Sequence, residues 1–469
     1  MRDDNDDVDH VPGERGPPLI NKTFEYLRDP FGTDRRLLAR HGPIARTRMF
    51  GRTVVVLGSA EHASRLLLDR ERTLSSHHGW GHFLGQLFDG GLMLRDFDEH
   101  RLHRGIMQVA FRGPARAAYH AHIDRHFAQT LERWASTPMP MRFYPAIRRA
   151  LIEQAGTAFL GLPPGPHVEL AGRHFSAIRN AVLALVRVEL PGTAWRRGMV
   201  ARRQLAEFLR AEIPARRRGD GHDLFSALCR AQDENGERFD DDAIVDHMIF
   251  LLFAAHDTTS SALTTLIDEL TRAPELQARV AEECQRVGSL GFEQLEQLEL
   301  VDRCFREAIR IQPPVPYILR RTVSSCPIGG HTLPERTPTT LIVHAVHHDP
   351  KLWRDPERFD PDRFTPERAE DRQHPHPWVP FGGGAHRCIG AEFARQQAKV
   401  FCWHLLRRFR VERVRERATD WRQIPIPLPK DGLPVRLVGN DPELGALADA
   451  KMLLDMQTIV EARQAAAAT

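Results

Sequence analysis

Phe381-Gly-Gly-Gly-Ala-His-Arg-Cys-Ile-Gly390 places one cysteine, Cys388, in a glycine-rich loop, seven residues after a phenylalanine and two before a glycine. The run that follows, Ala391-Glu-Phe-Ala-Arg-Gln-Gln-Ala-Lys-Val-Phe401, has the apolar spacing and the good helix formers of an α-helix. A thiol at the start of a helix meets the positive end of the helix dipole and backbone N–H groups that lack intrahelical partners. Its thiolate is therefore favoured.

A thiolate held in this way can push electron density onto a haem iron, the ligation that favours O–O cleavage. The loop resembles the haem-binding loop of the cytochrome P450 family. Its pattern, Phe-x-x-Gly-x-(Arg/His)-x-Cys-x-Gly, is met by Phe381, Gly384, His386, Cys388 and Gly390. The resemblance implies haem b with Cys388 as its axial ligand and with Phe381, Gly382 and Gly390 against the cofactor. It also implies the family's fold: one mainly α domain with a small β region, the haem lying between a long central helix and the helix after the cysteine loop.

The long helix is legible on its own. Asp241 to Arg272 reads as a continuous helix of roughly 45 Å at 1.5 Å per residue. Its apolar stretch, Met248 to Ala255, is short and flanked by His247 and His256, which marks a core helix. Within it, Ala254-Ala-His-Asp-Thr-Thr259 is unusual, because Thr and Asp are mediocre helix formers and a buried Asp is costly. The stretch is similar to the family signature (Ala/Gly)-Gly-x-(Asp/Glu)-Thr-(Thr/Ser), with Ala255 where glycine is usual. The likeness implies that Ala254 touches the haem, that Thr258 hydrogen-bonds dioxygen or a water, and that Asp257 relays protons from solvent. An alcohol–acid pair there suits a reaction that needs protons on the distal oxygen. The plainer alternative is threonine bonding back to its own helix.

Glu307-Ala-Ile-Arg310 sets an acid and a base on one helix face. By the resemblance it joins a later arginine in a structural network beneath the haem loop. Arg363, in Pro361-Asp-Arg-Phe364, is the expected third member and Arg358 the reserve. For the haem carboxylates, which need cations and donors, the family's His-x-x-x-Arg is matched by His100 and Arg104. Arg320, ahead of Gly329-Gly330, and His386 complete the set.

The family's substrate pocket maps onto scattered apolar segments. They supply Trp80, Phe83, Leu84, Phe88, Phe175, Ile178, Val182, Phe250, Leu251, Ala254, Val315, Tyr317, Ile424 and Ile426, a wall suited to a lipophilic ligand with a polar handle or two. Gly42–Gly51, Leu190–Arg202 and Pro427–Pro434 look like the branch that holds retinoic-acid, terpenoid and steroid hydroxylases. The expected reaction is hydroxylation or epoxidation of such a molecule with O2 and two NAD(P)H-derived electrons. A chain of 469 residues leaves no room for a fused reductase, so a separate ferredoxin or flavodoxin is expected. Arg104, Arg112, Arg387, Arg395 and Lys399 form its candidate docking patch. Two rivals keep the haem: a peroxide-driven or rearranging enzyme, against which the Asp257–Thr258 pair speaks, and a non-catalytic sensor.

Composition sets the remaining bounds. Hydrophobic content of 42% is that of an ordinary globular protein, and a net charge of +3 gives no overall pull toward nucleic acid. The six cysteines show no Cys-x-x-Cys, and the acidic start Met1–Asp9 does not resemble a signal or anchor. A cytoplasmic, unanchored monomer is the expectation. Residues 1–17 are expected to be disordered, 18–438 to form the haem domain, and 439–469 to be an extension compatible with one more helix. His344-Ala-Val-His-His348 and His374-Pro-His376 have ligand-like spacing but read as core or surface histidines.

Overall fold

The computed structural model describes residues 7–16, 21–162, 165–182, 184, 186–233 and 235–440. The N-terminal part holds strand β1 (Gly13–Glu14), helices α1 (Thr23–Arg28) and α2 (Pro30–His41), the hairpin β2 (Ile44–Met49) and β3 (Arg52–Leu57), and α3 (Ala60–Leu68). Ser59 caps α3, its hydroxyl accepting from His62 N. Strand β4 (Leu74–Ser75) leads into α4 (Ser76–Phe88) and α5 (Phe97–Gln108). Helix α6 (Gly113–Ala135), β5 (Met141–Arg142), α7 (Phe143–Leu160), α8 (Pro166–Val182), α9 (Ala194–Arg218) and α10 (Leu224–Arg230) follow. Then come α11 (Asp241–Arg272), α12 (Pro274–Arg286) and α13 (Glu299–Ile311).

Strands β6 (Tyr317–Thr322), β7 (Cys326–Ile328), β8 (His331–Leu333) and β9 (Pro338–Ile342) lie in the punctuated stretch before α14 (Val343–His347). A long meander with short 3-10 turns then reaches the cysteine loop and α15 (Ala391–Arg408). Strands β10 (Phe409–Arg413), β11 (Trp421–Arg422), β12 (Leu428–Pro429) and β13 (Pro434–Gly439) end the described chain.

Helix α11 spans the residues read from the sequence. Asp240 caps it by accepting from Ala243 N at 2.7 Å, Asp241 and Asp242 sit in the first turn and Arg272 in the last, each charge matched to the dipole. It packs against α7, α9 and α13, with α15 beside it, in a large apolar core. The main sheet runs β1-β2-β3-β9-β6-β4 and covers a second core built on α3 and the β7–β8 hairpin. Strand β6 links the two halves, because α4 lies directly on it. A Cβ at Gly79 would sit 2.6 Å from the Arg320 Cα, so only glycine allows this approach.

The N-terminus corrects one expectation. Residues 7–16 are ordered: Val8 and Val11 are fully buried, and β1 pairs in parallel with β2, Gly13 opposite Arg46 and Glu14 opposite Thr47. The acidic charges that suggested disorder are answered by cations, Asp9 by Arg15 and Arg46, Glu14 by Lys22 and Arg40. At the other end, Gly439 closes β13, while residues 441–469, where a further helix was expected, lie outside the described residues.

Candidate active site

The cysteine loop is held by its own backbone and by α3. Cys388 N donates to Phe381 O at 2.8 Å, closing the loop between the two ends of the motif. Gly384 has φ +58°, and a Cβ there would sit 2.0 Å from the carbonyl oxygen of Leu67, so the motif's glycine is needed for both conformation and space. Cys388 is exposed, the other five cysteines are buried, and all six are free. Although the residue as a whole is open to solvent, the protein atoms packed around its sulfur desolvate the Cys388 thiol and raise it. The N–H of Gly390, Arg104 and Arg387 oppose that rise. The expected preference for thiolate is thus outweighed by desolvation. A cation at the sulfur reverses the balance, since a coordinated thiol is deprotonated outright.

His100, Arg104, Arg320 and His386 converge on one side of this loop. The rings of His100 and His386 stack with centroids 3.9 Å apart. Arg320 reaches Ser76 Oγ at 3.4 Å, and the nearest carboxylate, Asp96, stands 4.0 Å from His386 Nε2. Burial first, then the neighbouring arginines, pushes His100 down to about 4 and His386 to about 2; burial lowers Arg320 to about 10 against the pull of Asp96 and Asp69, and also lowers Arg104. Basic groups crowded in this way call for anions. A cofactor with two carboxylates beside a metal that takes a thiolate fits the donor set.

On α11, Phe253, Ala254, Ala255 and Thr258 form a half-open stripe in a largely buried helix. Thr258 Oγ1 donates to Ala254 O at 2.8 Å, and Thr259, Ser260, Thr264 and Thr265 bond back in the same way. This is the pattern of the plainer alternative. It leaves the lone pairs of the Thr258 oxygen free to accept. Asp257 lies about 100° further round the helix and is buried between α7 and α8. Its Oδ1 accepts from Arg148 Nε at 2.7 Å, and Arg179 Nε is 3.9 Å from Oδ2. Burial acts to raise its carboxyl, but His256 in its protonated form, Arg148 and Arg179 outweigh it and hold it below the usual range. The sequence pointed to Asp257 but not to these arginines, which come from distant helices.

The structural network forms with Arg363 as third member. Glu307 accepts from Arg310 at 2.7 and 2.9 Å and from Arg363 at 3.1 Å, and all three side chains are inaccessible to solvent. Arg358 contributes only its carbonyl oxygen, which accepts from both arginines; its side chain is exposed. Two members were missed. Glu370 accepts from a second nitrogen of Arg363, Nη1, at 2.9 Å, and His347 joins the network to the loop, its carbonyl accepting from Arg310 and its Nε2 from Val379 N. His344 stacks on Phe31 and His348, so this histidine run is a packed unit of the core.

Of the pocket residues, Leu84, Phe88, Phe175, Ile178, Phe250 and Leu251 are buried in the main core, with Trp80, Val182 and Ala254 packed half-buried against it. Phe88 is in ring contact with Phe250 and Phe253 on α11. Ser261 on α11 donates to Pro427 O at 2.7 Å, which brings half-exposed Ile424 and Ile426 to the same helix. Val315 is half-buried, and Phe83 stands at the surface, 37% exposed.

Tyr317 is a correction. Its side chain faces the opposite side of β6, into a small cluster with Leu37 and Ala45, and its hydroxyl donates to Asp34 Oδ2 at 2.7 Å. The docking patch also shrinks. Lys399 is buried with Nζ on Leu295 O at 2.8 Å, and Arg104 belongs to the inner cationic group. Arg395 is paired with Asp302 and Glu392, and Arg387 lies 3.9 Å from Glu392. Arg112 and Arg387 remain the exposed cations of the five. No helix of the described residues is long and apolar enough to cross a membrane.

Comparison with known proteins places this geometry. Residues 11–431 match the family model described as Cytochrome P450. A putative cytochrome P450 136 of Mycobacterium tuberculosis is 36% identical over 437 residues, covering 91% of this chain and 88% of the relative. A putative cytochrome P450 120 of Synechocystis is 30% identical, covering 91% and 96%. The solved structure of a cyanobacterial CYP120A1 with retinoic acid bound superposes with a TM-score of 0.82 at 29% identity, covering 92% of this chain and 99% of that one.

Proposed function

This chain belongs to the cytochrome P450 family, and on that premise we propose that it hydroxylates or epoxidises an elongated lipophilic molecule of retinoid, terpenoid or steroid type. Like its family it is a haem b monooxygenase that uses O2 with electrons passed from NAD(P)H by a partner protein. The overall change balances as substrate C–H, O2, two electrons and two protons going to C–OH and water. Cys388 would hold the haem, with His100, Arg104, Arg320 and His386 available to its carboxylates, and the group bound there would supply the chemistry of O–O cleavage. Ala254, Phe381, Gly382 and Gly390 would lie against it.

The chain's own residues do the rest. Thr258, with its hydroxyl proton committed to Ala254 O, would accept from a water in the open stripe of α11, and that water would keep a second hydrogen to donate to dioxygen. Asp257 would bring protons from the side of α7 and α8. The apolar side chains of α4, α8 and α11 and of the 424–426 loop would exclude water and align the substrate. The observation that carries this reading is the half-open stripe on α11 with its flank of Phe88, Phe250, Phe253 and Trp80. The retinoic acid held by the similar cyanobacterial protein agrees with it. A ferredoxin or flavodoxin would dock on the face that presents Arg112 and Arg387, and the active unit would be a monomer.

Two measurements test the reading. The reduced, CO-bound protein should show the strongly red-shifted Soret band of thiolate ligation, and Cys388→His should lose it. Titration with retinoic acid, a triterpenoid, a steroid and a fatty acid should shift the Soret band for an isoprenoid or steroid ligand at micromolar levels. A shift with the fatty acid alone would sink the substrate class, and retention of the band in Cys388→His would sink the ligand.

A further inference from the structure

His256 stands beside the acid of the relay, and its two ring nitrogens have different surroundings. The side chain is 2% exposed. Nδ1 lies 2.8 Å from Leu252 O, one turn back in α11. A carbonyl only accepts, so Nδ1 carries the hydrogen and Nε2 is left as a bare lone pair. Nε2 has no hydrogen-bond partner and lies 3.6 Å from Asp257 Oδ1. Two acceptors therefore face each other in the interior, an arrangement that a proton between them relieves.

The surroundings explain why Asp257 needs such a neighbour. Arg148 of α7 already binds Oδ1, and Arg179 of α8 approaches Oδ2. Tyr144 of α7 faces the same carboxylate, Arg422 of β11 acts on Tyr144 and Arg179, and the Phe175 ring lies 6.3 Å from His256. A carboxylate held by two guanidinium groups keeps an incoming proton poorly. Arg148 Nη2 and Arg179 Nε, on the two side chains that flank this carboxylate, are buried donors without acceptors, as His256 Nε2 is an acceptor without a donor. Buried groups of both kinds suit water, which both donates and accepts.

We propose that His256 is a proton station of the relay, its Nε2 and Asp257 Oδ1 together seating a solvent-derived proton before it passes toward Thr258. The proton comes from water at the α7–α8 side, rests between nitrogen and oxygen, and leaves along Asp257, while Nδ1–H stays on Leu252 O. His256 acts through Asp257 and is a positioning residue. The inference rests on the monooxygenase reading above. Burial lowers the imidazole and Asp257 partly restores it, which suits a station that is empty at rest and quick to release.

The test uses the 15N-histidine-labelled holoenzyme, reduced and CO-bound so that it is diamagnetic, with His256 assigned by comparison with His256→Phe. At neutral pH the Nδ1–H tautomer with a bare Nε2 is expected. An Nε2–H tautomer would mean that the seat is already filled, and it overturns the proposal. The second readout is NAD(P)H oxidation through a ferredoxin and its reductase, with retinoic acid as the probe ligand. In His256→Phe the flux that does not end as peroxide should fall roughly tenfold and its solvent isotope effect should rise, while haem content and the CO band stay unchanged. His256→Gln keeps a donor for Leu252 O but cannot hold a proton, so it should match the phenylalanine variant. Wild-type flux and isotope effect in His256→Gln would reduce His256 to a structural hydrogen bond. Loss of the red-shifted CO band in the wild type would instead sink the monooxygenase reading, whereas an Nε2–H tautomer with that band present sinks the station alone.

Discussion

The hydroxyl of Tyr317 donates to Asp34 Oδ2 at 2.7 Å, joining the first strand of the punctuated region to a helix 283 residues away, while Tyr26 donates to Oδ1 at 2.8 Å. Two phenols satisfy a carboxyl that is 2% exposed. The arrangement ties the N-terminal helices to the strand that carries Arg320.

Tyr317→Phe removes one of the two donors and should cost about 1–3 kcal/mol, the range for a buried acceptor left unsatisfied. A lower melting temperature with unchanged ligand-induced Soret shifts is expected. A severalfold change in ligand affinity at unchanged stability would return Tyr317 to the pocket wall.

Asp34 should make stability pH-dependent in an unusual direction. Burial raises its carboxyl to about 7, against the opposing hydrogen bonds of Tyr317 and Tyr26. The folded state thus binds the proton more tightly than the unfolded chain, whose Asp titrates near 3.9. Its contribution is fully present below that value, declines as pH rises toward about 7, and is flat above. Asp34→Asn lacks this decline. Urea unfolding of both proteins at pH 5 and pH 8 should show the asparagine variant gaining relative to wild type at the higher pH. An unchanged difference would mean that Asp34 is ionised throughout.

Glu307→Ala leaves two buried guanidinium groups, Arg310 and Arg363, without their shared carboxylate. Breaking a buried pair costs about 3–5 kcal/mol. The expected outcome is little folded, haem-loaded protein on expression, rather than a folded enzyme with slow turnover. Recovery of well-folded Glu307→Ala protein at wild-type haem content would remove the network from the account of the fold.

Thr258→Ala removes a hydroxyl that bonds only its own helix, so folding and haem content should survive. NAD(P)H oxidation should continue while peroxide per product rises sharply. Asp257→Asn should instead slow the whole cycle, because it acts further upstream. An equal peroxide-to-product ratio in wild type and Thr258→Ala would show that protons arrive by another route.

Charge reversal separates the revised docking face from the expected one. Arg112→Glu should slow reduction by an acidic ferredoxin roughly tenfold at low salt, the difference shrinking as ionic strength rises. Lys399→Met should affect folding instead, since its ammonium group is spent on Leu295 O. Equal, salt-sensitive slowing in both would put Lys399 back on the surface.

The residues that could be read from the sequence owe their roles to local pattern. Helix α11 announces itself through an acidic first turn, a basic last turn and an apolar middle. The Cys388 loop, Glu307 with Arg310, and His100 with Arg104 are short-range motifs. What stayed hidden depends on distant segments meeting. Arg148 and Glu370 resemble any other surface charge until α7 and the meander are folded against their partners. Tyr317 was misjudged because neighbouring strand residues face opposite sides, and parity alone does not say which side holds the pocket. Lys399 looked solvated because a helical lysine usually is, but the α15 backbone brings its tip within reach of the Leu295 carbonyl.

The short parallel pairing of Gly13–Glu14 with β2 has a meaning beyond order at the N-terminus. It occupies the outer rim of the six-stranded sheet, and Val8 and Val11 plug the apolar layer beneath. A chain trimmed to begin at residue 18, the boundary that charge alone suggests, would expose the Ile44–Met49 backbone as an open template for a neighbouring molecule. The segment from Val8 to Glu14 acts as a selvedge, keeping the sheet from knitting itself to another copy.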